Sequence, residues 1–314
     1  MRFFVAVFFA FVMLAGCDNH PAHKNDIVML IKGQSNPYWK VLAEGATEAA
    51  KEKNIAFTLQ TVINDQDAEQ QLNLCETILL NPPKALVFAA VNNTNLVPCL
   101  QKAKKAGIVL VDVDGSFTKE EVAKLDLPVV FSVASNNEEL GKKAAEYLQN
   151  VKGNVLVIEG LAGSGPGQLR LQGFKANLGT DKTIVASLPG DWDRLKAANI
   201  TNDVIVQHSD LAAVFAANDM MALGAAEALR AKGMTGVKVV GIDGVADAVK
   251  AIGEGTLTAS IAQLPYLMGR NAVLKTEGYL QHPQNMDYSQ YVDVVTLDKD
   301  VLTAKKDALL NYVR

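Results

Sequence analysis

The feature that most constrains this chain is an alternation of two periodicities along nearly its whole length. Apolar runs of strand length lie at 26–31, 56–62, 85–89, 108–113 and 129–133. Each is followed by a helix or loop long enough for a crossover; in 37–53, for example, Ala and Leu recur at three and four. Runs apolar on both faces, joined by crossovers, require a parallel sheet covered on both sides. A second series follows Ser135-Asn136-Asn137, with strands predicted at 154–159, 183–187, 212–216, 238–242 and 258–261. Helices predicted at 138–150, 168–177, 195–207, 219–232 and 245–252 fill its gaps. A further helix at 265–281, strand at 291–297 and helix at 300–312 imply that the chain crosses between halves more than once. The expected fold class is α/β: two doubly wound parallel-sheet lobes joined by a multi-strand hinge, comprising 26–134 plus 264–290 and 135–263 plus 291–314. At roughly 100–200 residues per domain, the 314 residues suit two such lobes.

The first residues belong to a different class. Arg2 precedes an apolar stretch over 3–16, shorter than the roughly 20 residues that span a bilayer and of signal-peptide type. Its end, Leu14-Ala15-Gly16-Cys17, resembles the bacterial lipobox. The resemblance implies that 1–16 is a lipoprotein signal peptide and that Cys17 carries lipid as the new N-terminus. The polar tether 17–25 then reaches only about 28 Å at roughly 3.5 Å per residue, so the folded body works close to the membrane. Asp18, directly after the Cys, resembles an inner-membrane retention signal. The expected location is the periplasmic face of the inner membrane, or the outer face of the cell membrane in a single-membraned cell.

Composition and motifs remove other classes. A net charge of -4, with 30 Lys plus Arg against 34 Asp plus Glu and no basic patch, argues against nucleic acid. Two of the four His lie in the tether, and none has ligand spacing with another His or a Cys, so no metal site is expected. Cys75 and Cys99 are either a disulfide in an oxidising compartment or two small buried hydrophobes, the latter slightly favoured. Gly163-Ser164-Gly165-Pro166-Gly167 lacks both the P-loop ending and the dinucleotide spacing, and reads as a strand-to-helix turn. No nucleophile elbow, zinc-protease motif or Cys beside a His partner is present, so neither an enzyme nor a cofactor is expected.

What the sequence does offer is a recurrence of polar and aromatic residues where predicted strands end, the place where α/β sheets bind ligands. These are Lys32, Asn36, Tyr38, Trp39, Asp114, Arg170, Trp192, Asn218, Asp243 and Gln263. A sugar asks for this mixture. Each hydroxyl both donates and accepts, so planar Asp, Asn, Gln and Arg groups engage neighbouring hydroxyls, while C–H faces lie on aromatic rings. Singly, each has a plain structural alternative: Asn36 and Asn218 as helix caps, the aromatics as core, Asp243-Gly244 as a turn.

Five segments in order resemble the sugar-binding proteins of ABC importers, of the ribose- and allose-binding kind: Lys32-Gly-Gln-Ser-Asn-Pro-Tyr-Trp39, 188–196, 217–224, 240–244 and 259–263. The resemblance implies a type I periplasmic binding protein fold that closes on a monosaccharide and delivers it to an ABC permease as a monomer. By it, Tyr38 and Trp39 stack on one sugar face and Trp192 on the other, while Asn36, Asp114, Arg170, Asn218, Asp243 and Gln263 bond hydroxyls and the ring oxygen. Lys32 matches the allose type and, with the tryptophans, favours a hexose over ribose. Gly115 stands where the ribose type has Arg, and an Asn near Ala89 is missing. Asp112 is an extra carboxylate expected to read a further hydroxyl. Hinge points are expected near 135–136, 261–265 and 288–291. The alternative role is a sugar sensor docking on a chemoreceptor or sensor kinase.

Overall fold

The computed structural model describes residues 26–313, so the expected signal peptide, the expected anchor at Cys17 and the tether lie outside the described residues. Two six-stranded sheets form the core. The first contains β1 (Ile27–Ile31), β2 (Phe57–Thr61), β3 (Ala85–Phe88), β4 (Val109–Val113), β5 (Val129–Ala134) and β11 (Ser289–Tyr291), in the order β11-β5-β4-β3-β1-β2. The second contains β6 (Gly153–Glu159), β7 (Lys182–Pro189), β8 (Leu211–Ala216), β9 (Lys238–Asp243), β10 (Ala259–Ala262) and β12 (Val295–Leu297), in the order β12-β10-β9-β8-β6-β7. All pairings are parallel except β10 with β12. The sheets thus repeat one winding, with a late strand added at one edge of each. In both, strand order reverses beside the first strand of the series, between β1 and β3 and between β6 and β8. Such switch points are where doubly wound sheets leave a crevice.

Crossovers cover both faces, as the apolar runs require. On the first sheet they are α1 (Pro37–Glu52), α2 (Ala68–Ile78), α3 (Val97–Lys105), α4 (Lys119–Lys124) and α10 (Pro265–Gln281). On the second they are α5 (Asn137–Tyr147), α6 (Gly165–Asn177), α7 (Arg194–Gln207), α8 (Asp219–Ala231) and α9 (Ala246–Glu254). Helix α1 shows the local logic: Asn36 caps it, accepting from the Tyr38 N–H at 3.1 Å, and Pro37 fills the first turn. Its buried stripe of Tyr38, Trp39, Leu42, Ala43, Ala46, Ala49 and Ala50 has helical spacing. Helices α5 and α6 meet backbone to backbone, because a Cβ at Gly141 or Gly173 would lie 1.9 Å from a carbonyl oxygen of the other helix. That contact seats Arg170 of α6.

The chain passes between sheets three times: after β5, at Gln263-Leu264 after β10, and between β11 and β12. The strand predicted over 291–297 is therefore two strands, because Val292–Val294 step from one sheet to the other. The helix predicted at 300–312 is α11 (Lys299–Ala304) followed by a 3-10 turn (Ala308–Tyr312). Helix α6 starts at Gly165, earlier than predicted, because Ser164 caps it and Pro166 is allowed in a first turn. Cys75 of α2 and Cys99 of α3, fully buried, are joined as a disulfide, which overturns the reading as two separate hydrophobes. No helix among the described residues is long and apolar enough to cross a membrane.

Candidate ligand-binding site

The carboxyl ends of both sheets face one another across a small cavity. All ten residues singled out from the sequence line it. Asp65, Ser164 and Pro166 line it as well and were missed. Asp65 follows β2, so the strand-end rule that selected Asp114 would have found it. Ser164 and Pro166 stood inside the segment read as a turn, where the Ser164 hydroxyl does cap α6, accepting from the Gly167 N–H.

On the first lobe, Tyr38 Oη donates to Asp114 Oδ1 at 2.6 Å, and Lys32 Nζ lies 3.8 Å from Asp114 Oδ2 and 4.9 Å from the Trp39 ring centre. Burial, then the Asp114 charge, holds the Tyr38 hydroxyl well above its usual pKa, so it is a fixed donor. Asn36 Nδ2 donates to Asp65 Oδ2 at 3.1 Å, and burial pushes the Asp65 carboxyl up. The Tyr38 and Trp39 rings meet edge to face at 85°. Two perpendicular rings cannot both lie flat on one sugar face, so at most one of them stacks there.

On the second lobe, Arg170 donates from Nε to Asn137 Oδ1 at 2.9 Å and from Nη1 to the Ala217 carbonyl at 2.7 Å, with Asp243 Oδ1 at 3.5 Å. Gln263 Nε2 donates to Asp243 Oδ1 at 2.7 Å. Burial raises the Asp243 carboxyl well above its usual range; Arg170 opposes this and the neighbouring Asp219 charge adds to it. Asn218 caps α8, accepting from the Met221 N–H at 2.9 Å.

Trp192 is placed by backbone that few residues adopt, with φ of +53° at Asp191 and +65° at Trp192. Strain of this kind, about 1–3 kcal/mol per residue, collects at functional sites. The ring rests directly on Gly160, where a Cβ would meet it at 2.1 Å. The Arg170 guanidinium lies 5.9 Å from the ring centre.

Besides the joint stacking of Tyr38 and Trp39, one further expectation fails here. Asp112 does not line the cavity, because its oxygens accept from the Ser116 N–H (3.1 Å), the Phe117 N–H (3.4 Å) and the Ser132 hydroxyl (2.9 Å). Gly115 has φ +76°, a conformation that disfavours any side chain, Arg included.

The lobes are closed on each other. The Asn93 N–H donates to the Gly163 carbonyl at 2.9 Å, and Gln66 Nε2 to the Asp191 carbonyl at 2.6 Å, both across the mouth. Inside, Asp65 Oδ1 and Gln263 Oε1 are buried acceptors with no hydrogen-bond partner among the described residues. Buried acceptors left open in a cavity call for donors on a ligand. Three carboxylates, Asp65, Asp114 and Asp243, stand against two cations, Lys32 and Arg170, so an anion is disfavoured. The arrangement suits a neutral, donor-rich molecule with an apolar face for an aromatic ring.

The comparisons agree with this geometry. Residues 27–282 match the family model of the periplasmic binding protein domain. The D-allose-binding periplasmic protein of Escherichia coli K12 is 33% identical over 253 residues, covering 78% of this chain and 81% of that protein. The ribose import binding protein of the same organism is 32% identical over 254 residues, covering 80% and 83%. The crystal structure of an ABC transporter periplasmic solute-binding protein from Actinobacillus succinogenes 130z with bound D-allose superposes with a TM-score of 0.80 at 29% identity, covering 88% of this chain and 99% of that one. The chain belongs to the periplasmic binding protein family.

Proposed function

We propose that this chain is a lipid-anchored extracytoplasmic binding protein that closes two lobes on one monosaccharide of the allose or ribose type and delivers it to the permease of an ABC importer. The observation that carries the reading is the cavity itself, where open buried acceptors and aromatic faces meet between two lobes. Relatives named for D-allose and ribose, and a similar structure holding D-allose, support the ligand class. Ligand bound by both lobes favours the closed state through contacts that the open state lacks. Lys32, Asn36, Tyr38, Trp39, Asp65, Asp114, Arg170, Trp192, Asn218, Asp243 and Gln263 are the proposed contacts. Lys32 and the two tryptophans favour a hexose.

A thermal-shift screen of the protein without its lipid, against pentoses, hexoses, ketoses and sugar alcohols, tests the proposal. A ligand at 100 times its dissociation constant adds about 2.7 kcal/mol, so one or a few related sugars are expected to raise the melting temperature. No response, from protein shown by mass spectrometry to carry no co-purified sugar, would defeat it. The anchor on Cys17 is supported by the motif that precedes it. The full-length chain is expected in washed membranes and a Cys17→Ala chain in the soluble fraction; equal partition would remove the anchor.

A further inference from the structure

We propose that Asp112 and Asp219, neither of which lines the cavity, are positioning residues that hold the proposed sugar-contacting carboxylates Asp114 and Asp243 in place. This rests on the functional reading above and goes beyond it.

Asp114 and Asp243 share an unusual backbone. Each follows or ends the fourth strand of its lobe's series, has positive φ (+74° and +135°), and precedes a glycine of positive φ, Gly115 at +76° and Gly244 at +79°. Non-glycine residues hold such angles only where the surroundings over-determine them. Beneath each turn lies a fully buried carboxylate. Asp112 accepts from two successive backbone N–H groups, of Ser116 and Phe117, and from the hydroxyl of Ser132 on β5. Asp219 accepts from two successive backbone N–H groups, of Gly244 (2.7 Å) and Val245 (3.0 Å), and from the hydroxyl of Ser260 on β10 (2.9 Å).

A cradle of two successive backbone N–H groups and one strand serine thus occurs in both lobes, built from different elements, and at Asp112 the Ser116 side chain adds to it. Asp112 comes from within β4, Asp219 from the first turn of α8, and each serine from the fifth strand of its lobe's series. Burial pushes the two carboxyls up and the donors of each cradle pull them down, leaving Asp112 at about 7 and Asp219 at about 6. A carboxyl in so buried a place is held by its donors, and most of those donors belong to the backbone of the ligand-binding turns.

The two cradles also differ in the carboxylate oxygens they engage, and the difference supplies the test. All three bonds to Asp219 end on Oδ2, whereas Asp112 uses both oxygens. An asparagine at 219 retains the oxygen that accepts; one at 112 turns an amide N–H toward a donor. Calorimetric affinity for the sugar that binds the wild-type chain is measured for Asp112→Asn, Asp219→Asn and Asp219→Ala, with the melting temperature of each sugar-free protein. The expected losses are roughly ten- to hundred-fold for Asp219→Ala and Asp112→Asn, with Asp219→Asn within about three-fold of wild type.

A role in positioning also predicts coupling. The loss from Asp219→Ala is expected to shrink in an Asp243→Asn background and to persist in Asp114→Asn, whereas a general loss of stability is equal in both. Should Asp219→Ala fail to fold, Ser260→Ala, which removes one donor, is put through the same comparison. Equal losses in the two backgrounds, or unchanged affinity in a folded Asp219→Ala or Ser260→Ala chain, would overturn the proposal. A wild-type chain that binds no monosaccharide overturns the functional reading itself, and this role with it.

Discussion

Replacing Asp243 by alanine is expected to raise the dissociation constant for the sugar by about a hundred- to ten-thousand-fold while the protein stays folded. The carboxylate is buried at the cavity wall, where its Oδ1 accepts from Gln263 Nε2 and lies 3.5 Å from Arg170 Nη1. It therefore has lone pairs to offer two ligand hydroxyls. Hydrogen bonds to a charged group contribute about 1.5–3 kcal/mol each, and two of them lost together correspond to two to four powers of ten. The fold is expected to survive because the Arg170 guanidinium keeps Asn137 Oδ1 and the Ala217 carbonyl as partners when Asp243 is gone. Titration calorimetry and a melting curve of the sugar-free variant check both halves. Unchanged affinity would remove Asp243 from the site, and a collapsed melting curve would make it a structural residue.

The second large effect concerns stability. Removing the Cys75–Cys99 disulfide by paired substitution with alanine is expected to lower the unfolding free energy of the first lobe by about 3–4 kcal/mol. That is the entropy released to the unfolded chain when a loop with a sequence separation of 24 is opened. The bridge ties α2 to α3. The loop between β3 and α3, which carries Asn93 to the lobe interface, has independent support. Gln71 of α2 donates to the Ala89 carbonyl at 2.8 Å and accepts from the Val91 N–H at 2.9 Å. Sugar affinity at 25 °C is therefore expected to change little. Urea denaturation of wild type and variant measures the first quantity and calorimetry the second. A stability change below about 1 kcal/mol would show that packing, not the bridge, holds the two helices together.

The sheets were legible in the sequence because strands covered on both faces must be apolar throughout, and β1, β3 and β8 read that way without ambiguity. The ten cavity residues were found by coupling residue type to strand ends, a rule with a geometric basis in doubly wound sheets. What escaped depends on backbone angles and on tertiary packing. Asp112 and Asp114 are two apart and by strand alternation belong to one face, but the positive φ at Asp114 breaks the alternation and leaves Asp112 beneath the turn. The 85° angle between Tyr38 and Trp39 follows from the hydrogen bond of Tyr38 to Asp114, residues 76 apart in sequence. The disulfide depends on which helices neighbour each other, and the apolar run 291–297 has the length of one strand although the chain changes sheet within it.

The most direct measurement is a calorimetric titration of the sugar-free protein, expressed without residues 1–17, with D-allose and with D-ribose. Saturable binding of one molecule per chain is expected with at least one of them, tighter for the hexose, and lost in the Asp243→Ala variant. Absence of heat with both sugars, in a folded protein free of bound ligand, would contradict the proposed function.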